Sequence, residues 1–169
     1  QRSWIHSLRS HRVALTVLMV AFSGFAMGMA LTTRPWCDEG WFASIVYNLV
    51  HHGVMGLTVL DPHGFVFAPN VRGIDRYTYW VFPNYIFLQA AWVSVVGLSV
   101  FTFRLLSTVW GCVLLYSWYF VVSRLTHDRR VGLLSAVILG LDQNVIASGA
   151  SGRMDMMCAA LNLAASAVY

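Results

Sequence analysis

The chain has 169 residues, of which 58% are hydrophobic and only 11% are charged. Soluble domains carry about 25% charged residues, so this composition excludes an ordinary soluble domain and predicts an integral membrane protein. The net charge of +4 comes from Arg alone, since the chain contains no Lys. These Arg cluster near the ends of apolar runs, which is typical of membrane topology and does not indicate a nucleic-acid partner.

The first apolar run, residues 13–31, is uncharged and follows a basic segment. Its length is sufficient to cross a hydrocarbon core of about 30 Å. Arg2, Arg9 and Arg12 precede it. Because basic residues accumulate on the cytoplasmic side of membranes, we expect the N-terminus to be cytoplasmic.

Two adjacent carboxylates, Asp38 and Glu39, follow this first run and lie between Trp36 and Trp41. A charged pair at the lip of a span is costly to desolvate, so it usually faces a cavity, an ion or a substrate. The alternative is a solvated interfacial pair flanked by aromatic belt residues. Apolar residues at helical spacing then predict an amphipathic interfacial helix over about 38–52.

Residues 53–78 are rich in Gly, Pro, Asn and Asp, which predicts a loop. A connection of this length is either disordered or part of a site. The segment that follows, about 81–98, is apolar but contains Pro83, Asn84 and Gln89. It could cross the membrane or lie half-embedded along its surface.

Further apolar runs predict spans over about 105–122, 131–147 and 156–169. A second basic cluster, residues 124–130, separates the first two of these spans. Asp155 immediately precedes the last span, so a further carboxylate lies at a membrane boundary.

The two basic clusters constrain the number of crossings between them. Both should be cytoplasmic, and three crossings would separate them, so one of the three intervening apolar runs does not cross. The run at 81–100 is the most polar of the three, and we predict a membrane-parallel or re-entrant helix there. Four candidate site residues then share the outer face: Asp38, Glu39, Arg104 and Asp155.

Several short motifs follow one another in an order that resembles a known family. They are Asp38-Glu39-Gly40-Trp41-Phe42-Ala43, Tyr79-Trp80-Val81-Phe82-Pro83, Phe103-Arg104-Leu105-Leu106, Leu141-Asp142-Gln143-Asn144 and Arg153-Met154-Asp155-Met156. Together they resemble the GT-C-fold glycosyltransferases that use lipid-phosphate sugars, above all the protein O-mannosyltransferase and aminoarabinose transferase families. The resemblance extends over nearly the whole chain.

The resemblance implies an all-α, polytopic membrane helical bundle with juxtamembrane amphipathic helices in the first outer loop. It also implies that residues 1–169 are the N-terminal transmembrane module of a longer GT-C-like protein. Such enzymes transfer a sugar from a polyprenyl-phosphate donor at the outer membrane face. We therefore expect a multi-pass protein in the lipid bilayer, with a site that faces the periplasm or exterior.

The resemblance also implies roles for individual residues. Asp38 is expected to be the catalytic carboxylate, with Glu39 beside it and Asp155 as the second acidic residue of the site. Carboxylates can activate an acceptor hydroxyl and stabilise an oxocarbenium-like transition state. Arg104 is expected to bind the donor phosphate, with Arg76 as a further candidate. Some members bind a divalent metal ion, which the three carboxylates could ligate.

The chain also departs from the family pattern. Phe82 stands before Pro83 where the family often has Lys or His near the phosphate. This departure leaves a second function open, that of a non-catalytic membrane subunit that keeps the helices and binds partner subunits or lipid. Under that alternative Arg104 is an interfacial Arg and Asp155 a helix cap. We expect the 169-residue chain to be inactive by itself.

Overall fold

The structure, a computed structural model, describes residues 2–57, 73–78 and 81–169, with side chains from residue 11 onward. All regular secondary structure in these ranges is helical, which confirms the predicted all-α class for the described residues. The helices are α1 (Arg2–Thr32), α2 (Cys37–His52), α3 (Pro83–Val96), α4 (Val100–Thr126), α5 (Arg129–Gly140), α6 (Gln143–Gly149) and α7 (Asp155–Val168).

Two of the described helices are long and apolar enough to cross a membrane by themselves. They are α1, over His11–Thr32, and α4. The end of α1 meets the start of α4, where the Arg104 side chain donates to the carbonyl of Ala30. At the opposite end, Leu15 of α1 packs in one cluster with Tyr119 of α4. The two helices are therefore antiparallel.

The helices α2 and α3 lie between α1 and α4 in the chain and pack at the end where α1 stops. The Gln89 and Trp92 side chains of α3 donate to carbonyls of the first turn of α4, at Phe103 and Thr102. With 14 residues, α3 is about 21 Å long, shorter than the hydrocarbon core. The prediction that the segment 81–98 forms a membrane-parallel or re-entrant helix stays a prediction.

Backbone hydrogen bonds fix both ends of α2. The Trp36 N–H donates to the Glu39 side chain at the first turn, which satisfies one of the otherwise free donors at a helix start. Gly53 ends the helix in the left-handed region, at φ +67°, and its N–H donates to the Leu49 carbonyl. Glycine adopts this conformation without a Cβ penalty.

The helix α2 packs on a core formed with α3 and two short non-helical segments, residues 54–57 and 73–78. Leu57 donates to the Ile74 carbonyl at 2.6 Å, and Thr78 donates to the Met55 carbonyl at 2.7 Å. The Asn48 side chain donates to the Gly56 carbonyl at 2.8 Å. Much of the loop predicted over 53–78 lies outside the described residues, as do Arg72 and the Tyr79-Trp80 pair of the resemblance.

The segment 131–147, which the sequence predicts as a span, forms two helices, α5 and α6. They meet at an angle of 70°, as in a broken span or a re-entrant loop. The Asp142 carboxylate accepts hydrogen bonds from the backbone N–H groups of Asn144 and Val145, which starts a new helix. An Asp side chain competes in this way with the continuing helix and favours a cap.

The last helix, α7, runs alongside α4 in the same direction. Near its start Met156 packs on Leu114, and near its end the Ala167 carbonyl accepts from Arg124 at 3.1 Å. Its 14 residues form an apolar helix within the segment 156–169 that the sequence predicts as a span. The described residues thus contain two helices that are long and apolar enough to cross a membrane, or three if α5 and α6 together form one bent span.

Candidate functional site

Glu39 is buried under the first turn of α2, and only 4% of the residue is exposed. Its Oε1 accepts from Arg104 Nε at 2.8 Å and from the Gly152 N–H at 2.6 Å. Its Oε2 accepts from Arg104 Nη2 at 2.7 Å and from the Trp36 N–H at 3.0 Å. Burial raises the pKa of this carboxyl, but the four hydrogen bonds outweigh burial and hold the pKa below its ordinary value of 4.5.

Arg104 is 2% exposed and completes this buried ion pair. Its remaining nitrogen, Nη1, donates to the carbonyls of Ala30 at 2.6 Å and Thr33 at 3.0 Å. These carbonyls end α1 and have no partner within the helix. The Glu39–Arg104 pair therefore joins the end of α1, the start of α2 and the first turns of α4.

This geometry favours structural roles for Glu39 and Arg104 over the catalytic and phosphate-binding roles that the resemblance implies. All three guanidinium nitrogens of Arg104 donate to protein oxygens, so a phosphate would have to displace the end of α1. Four donors surround the carboxylate of Glu39, so it is not placed to remove a proton from a substrate. We assign both residues to the support of the site.

The loop between α6 and α7 is anchored on this pair through Gly152. The Gly152 N–H donates to Glu39, and its carbonyl accepts from the Tyr85 hydroxyl at 2.7 Å. The Gln89 side chain donates to the same hydroxyl at 3.1 Å. Burial raises the pKa of Tyr85, so its hydroxyl stays protonated and remains a donor. Residue 153 is held in place by these bonds.

Asp38 belongs to a second, exposed cluster with Arg153 and Asp155. Arg153 Nη1 lies 3.9 Å from Asp38 Oδ2, and Arg153 Nε lies 3.0 Å from Asp155 Oδ2. The Nε–H does not point at a hydrogen-bond acceptor, so the shorter contact is an ion pair without hydrogen-bond alignment. The side chains are 31%, 42% and 53% exposed for Asp38, Arg153 and Asp155. The predicted proximity of Asp38 to Asp155 is confirmed by these contacts.

Two members of this cluster, Asp38 and Arg153, line a small open cavity. The cavity has a volume of about 210 Å³ and is lined by Asp38, Trp41, Phe42, Val81, Arg153 and Met154. Charged groups at the rim and aromatic or aliphatic groups below suit an amphipathic molecule with a polar head.

Arg76, the second candidate for the phosphate, lies in the turn Gly73–Arg76 and is exposed. It forms no ion pair with any other residue in the described part of the chain. Its role stays a prediction.

The described residues do not fit the divalent metal ion that the resemblance allows. No group of three His, Cys, Asp or Glu side chains in the described ranges is arranged to hold a metal. The Glu39 carboxylate is saturated by its donors. The Arg153 guanidinium contacts the carboxylates of both Asp38 and Asp155, where a cation would have to bind.

Sequence reasoning did not assign three residues that build the site: Arg153, Gly152 and Tyr85. Arg153 stands two positions before Asp155. A cation so close to a candidate carboxylate is a feature of the sequence from which Arg153 could have been assigned to the site. Gly152 lies in a run of small residues without any distinctive spacing. The hydroxyl of Tyr85 reaches the loop only through the packing of α3.

Comparison with known proteins gives no match among family models, curated proteins or solved structures. The function is therefore argued from the geometry of the site.

Proposed function

We propose that this chain is part of a membrane glycosyltransferase that takes a sugar from a polyprenyl-phosphate donor at the outer membrane face. The observation that carries the proposal is the cluster of Asp38, Arg153 and Asp155, of which Asp38 and Arg153 line a largely apolar cavity. Two carboxylates and one guanidinium supply a base and a phosphate ligand. The apolar lining suits the lipid part of the donor.

In this proposal Asp38 is the base. The acceptor oxygen attacks the anomeric carbon, its proton passes to the Asp38 carboxylate, and the bond from the anomeric carbon to the phosphate oxygen breaks. The electron pair of that bond leaves with the lipid phosphate. Arg153 neutralises the leaving phosphate, because a guanidinium offers several donors in one plane. Asp155 orients Arg153 and stabilises positive charge on the sugar ring.

The ion pairs also suggest how donor binding activates the base. Arg153 contacts Asp38 and Asp155 in the described structure. A donor phosphate competes for the same guanidinium, and its arrival draws Arg153 away from Asp38. The carboxylate is then free to accept a proton. This replaces the phosphate-binding role that the resemblance implies for Arg104.

The orientation in the membrane follows from the basic residues at the end of the molecule opposite the cluster. Arg124, Arg129 and Arg130 lie where α4 ends and α5 begins. By the positive-inside rule that end is cytoplasmic. The cluster of Asp38, Arg153 and Asp155 then faces the exterior or periplasm.

One observation favours a second candidate, a non-catalytic membrane subunit. Both carboxylates, Asp38 and Asp155, have the Arg153 guanidinium as a counter-charge within the protein. A purely structural ion-pair cluster would have this arrangement.

Enzyme activity distinguishes the two candidates. The full-length protein in lipid nanodiscs is incubated with polyprenyl-phosphate mannose or aminoarabinose, and the release of polyprenyl phosphate is measured. We expect Asp38→Asn to lower the rate at least about 100-fold, because a positioned general base contributes 10² or more. Asp128→Asn is the matched control, since this distant Asp caps α5 and Asn is an equally good cap.

Equal rates for wild type and Asp38→Asn would refute the catalytic assignment. An absence of release by the wild type with both donors would instead support the subunit.

A further inference from the structure

The helices α4 and α7 form an open groove near the basic end of the molecule. It has a volume of about 370 Å³, within the range of about 300 to 1,000 Å³ that is typical of small-molecule sites. Most of its lining side chains are apolar, and they include Val113, Tyr116 and Phe120 on α4 and Ala164, Ala167 and Val168 on α7. These walls suit a hydrocarbon chain, and the group that such a chain carries depends on what lies at the end of the groove.

Arg124 lies across the basic end of this groove. Its Nη1 donates to the Ala167 carbonyl of α7 at 3.1 Å, and its Cζ lies 4.8 Å from the centroid of the Phe120 ring on α4. The guanidinium thus contacts both walls, through one hydrogen bond and one cation–π contact. A guanidinium has five N–H donors, and Arg124 forms no ion pair within the described part of the chain. Most of its donors are therefore available to an anionic group.

The spacing of charges along α4 fixes the level of Arg124 relative to a hydrocarbon core. Arg104 and Arg124 are the charged residues of this helix. They stand about 20 residues apart, which is roughly 30 Å along the helix axis. This distance equals the thickness of a hydrocarbon core, about 30 Å. When α4 crosses the membrane, Arg124 lies at the headgroup level and the groove beside Phe120 lies among the acyl chains.

The surroundings of Arg124 favour an anion. Arg129 and Arg130 start α5 just beyond the end of α4, and Arg12 stands at the start of the apolar part of α1, which packs on that end of α4. All three are exposed and have no ion-pair partner in the part of the chain that the structure describes. The Asp128 carboxylate among them caps α5. Juxtamembrane Arg residues attract anionic lipids, whereas the cationic part of a zwitterionic headgroup would meet further positive charge.

We propose that Arg124 and this groove form a binding site for an anionic phospholipid of the leaflet at the basic end. The lipid phosphate accepts hydrogen bonds from the free N–H groups of Arg124, and one acyl chain lies between α4 and α7. A small water-soluble anion would leave the apolar groove empty, and an uncharged lipid would leave the donors of Arg124 unused. The site lies at the end of the molecule opposite Asp38 and does not depend on the proposed sugar transfer.

Lipid binding by the full-length protein in dodecyl maltoside tests this site. Dioleoylphosphatidylglycerol and dioleoylphosphatidylcholine are titrated separately, and native mass spectrometry gives the Kd of the first lipid bound. We expect phosphatidylglycerol to bind at least about fivefold more tightly, because one Arg near a membrane surface contributes about this factor towards an anionic lipid. Equal affinities of the two lipids would overturn the proposal.

Arg124→Gln is expected to abolish this preference, so that both lipids bind alike. The matched control is Arg34→Gln, which removes the same charge from an exposed position beyond the other end of α1. The control is expected to keep the preference of the wild type. An undiminished preference in Arg124→Gln, or an equal loss in Arg34→Gln, would overturn the assignment to Arg124.

A second pair of variants tests the groove without a change of charge. Ala164→Leu extends a side chain into the groove and is expected to weaken phosphatidylglycerol binding at least about fourfold, the contribution of one buried methylene group. Ala165→Leu is the matched control, because this neighbouring residue is exposed and does not line the groove. Wild-type affinity in Ala164→Leu would overturn the groove assignment. Thermal unfolding identifies any variant that does not fold, and the other pair then decides.

A competition experiment separates a lipid from a free anion. Glycerophosphoglycerol is the headgroup of phosphatidylglycerol without its acyl chains. At the same concentration as the lipid, we expect it not to displace phosphatidylglycerol from the wild type, because it gains nothing from the apolar groove. Displacement at this concentration would show a plain anion site and overturn the lipid assignment.

Discussion

At the residue scale, the adjacent carboxylates of Asp38 and Glu39 have different environments. Successive residues on a helix do not share a face, so Glu39 points into the protein and Asp38 points to the cavity rim. Glu39 forms a buried bidentate pair with Arg104, while Asp38 has an exposed contact with Arg153 at 3.9 Å. The inner carboxylate supports the fold, and the outer one remains accessible to a ligand.

This difference predicts unequal effects of two neighbouring substitutions on stability. Glu39→Gln leaves a buried Arg104 without its counter-charge, and removing one partner of a buried ion pair costs about 3 to 5 kcal/mol. Asp38→Asn removes only an exposed pair, which is worth about 1 kcal/mol or less. Thermal unfolding in detergent measures both, with Asp38→Asn as the matched control. Similar losses of stability for the two variants would contradict the structural role of Glu39.

The pH dependence of stability gives a second readout for Glu39. Because the folded-state pKa of Glu39 lies below its ordinary value of 4.5, its contribution is complete above pH 4.5. The contribution is lost as the pH falls through the folded-state pKa. The Tm of the wild type should therefore fall below pH 4.5 by more than that of Glu39→Gln. Parallel Tm curves for the two proteins would show that this carboxylate does not contribute.

At the element scale, the loop between α6 and α7 decides where Arg153 and Asp155 lie. Its anchor is Gly152, whose N–H and carbonyl are both bonded to buried side chains, Glu39 and Tyr85. A Cβ at this position would clash with the Phe103 ring. The exposed cluster is thus positioned by a residue that has no side chain of its own.

Gly152→Ala is expected to destabilise the protein and to disturb the cluster. Insertion of a methyl group into a packed site costs about 1 to 3 kcal/mol, and a shift of the loop moves Arg153 away from Asp38. Thermal unfolding and polyprenyl-phosphate release measure the two effects. Gly40→Ala is the control, because a Cβ there meets no atom within 4 Å. A Gly152→Ala protein with wild-type stability would contradict the close packing on Phe103.

At the scale of the whole molecule, α1 and α4 are antiparallel. This arrangement agrees with the prediction of an even number of membrane crossings between the two basic clusters. The chain leaves α1 and enters α4 at the same end, because Arg104 reaches back to the last carbonyls of α1. The described helices between them remain at that end. The basic residues before α1 and after α4 are thereby brought to the opposite end, and the positive-inside rule predicts that this end is cytoplasmic.

Cysteine labelling of intact cells tests this topology. Phe101→Cys lies in the first turn of α4 and His127→Cys lies just beyond its last turn. In a background without the native cysteines, we expect an impermeant maleimide to label position 101 from outside and position 127 only after permeabilisation. Labelling of both positions from outside would contradict two crossings and the shared outer site.

The amino-acid sequence by itself determined the helical class and the two long apolar helices, α1 and α4. These features follow from the length of apolar runs, the positions of charges and the thickness of the bilayer, which are all local or one-dimensional quantities. The sequence also predicted that Asp38 and Asp155 lie near each other, because crossing parity puts both at one end of the molecule.

Only the tertiary structure decided which of the ionisable residues is buried. Glu39 and Arg104 are 65 positions apart in the chain and form a buried ion pair. Arg153, in contrast, lies exposed between Asp38 and Asp155. Neither result follows from spacing, because burial depends on side-chain directions, on the carbonyls at the end of α1 that accept from Arg104, and on the N–H groups of Trp36 and Gly152 that donate to Glu39. The 70° break at Asp142 likewise depended on a local cap that hydropathy does not register.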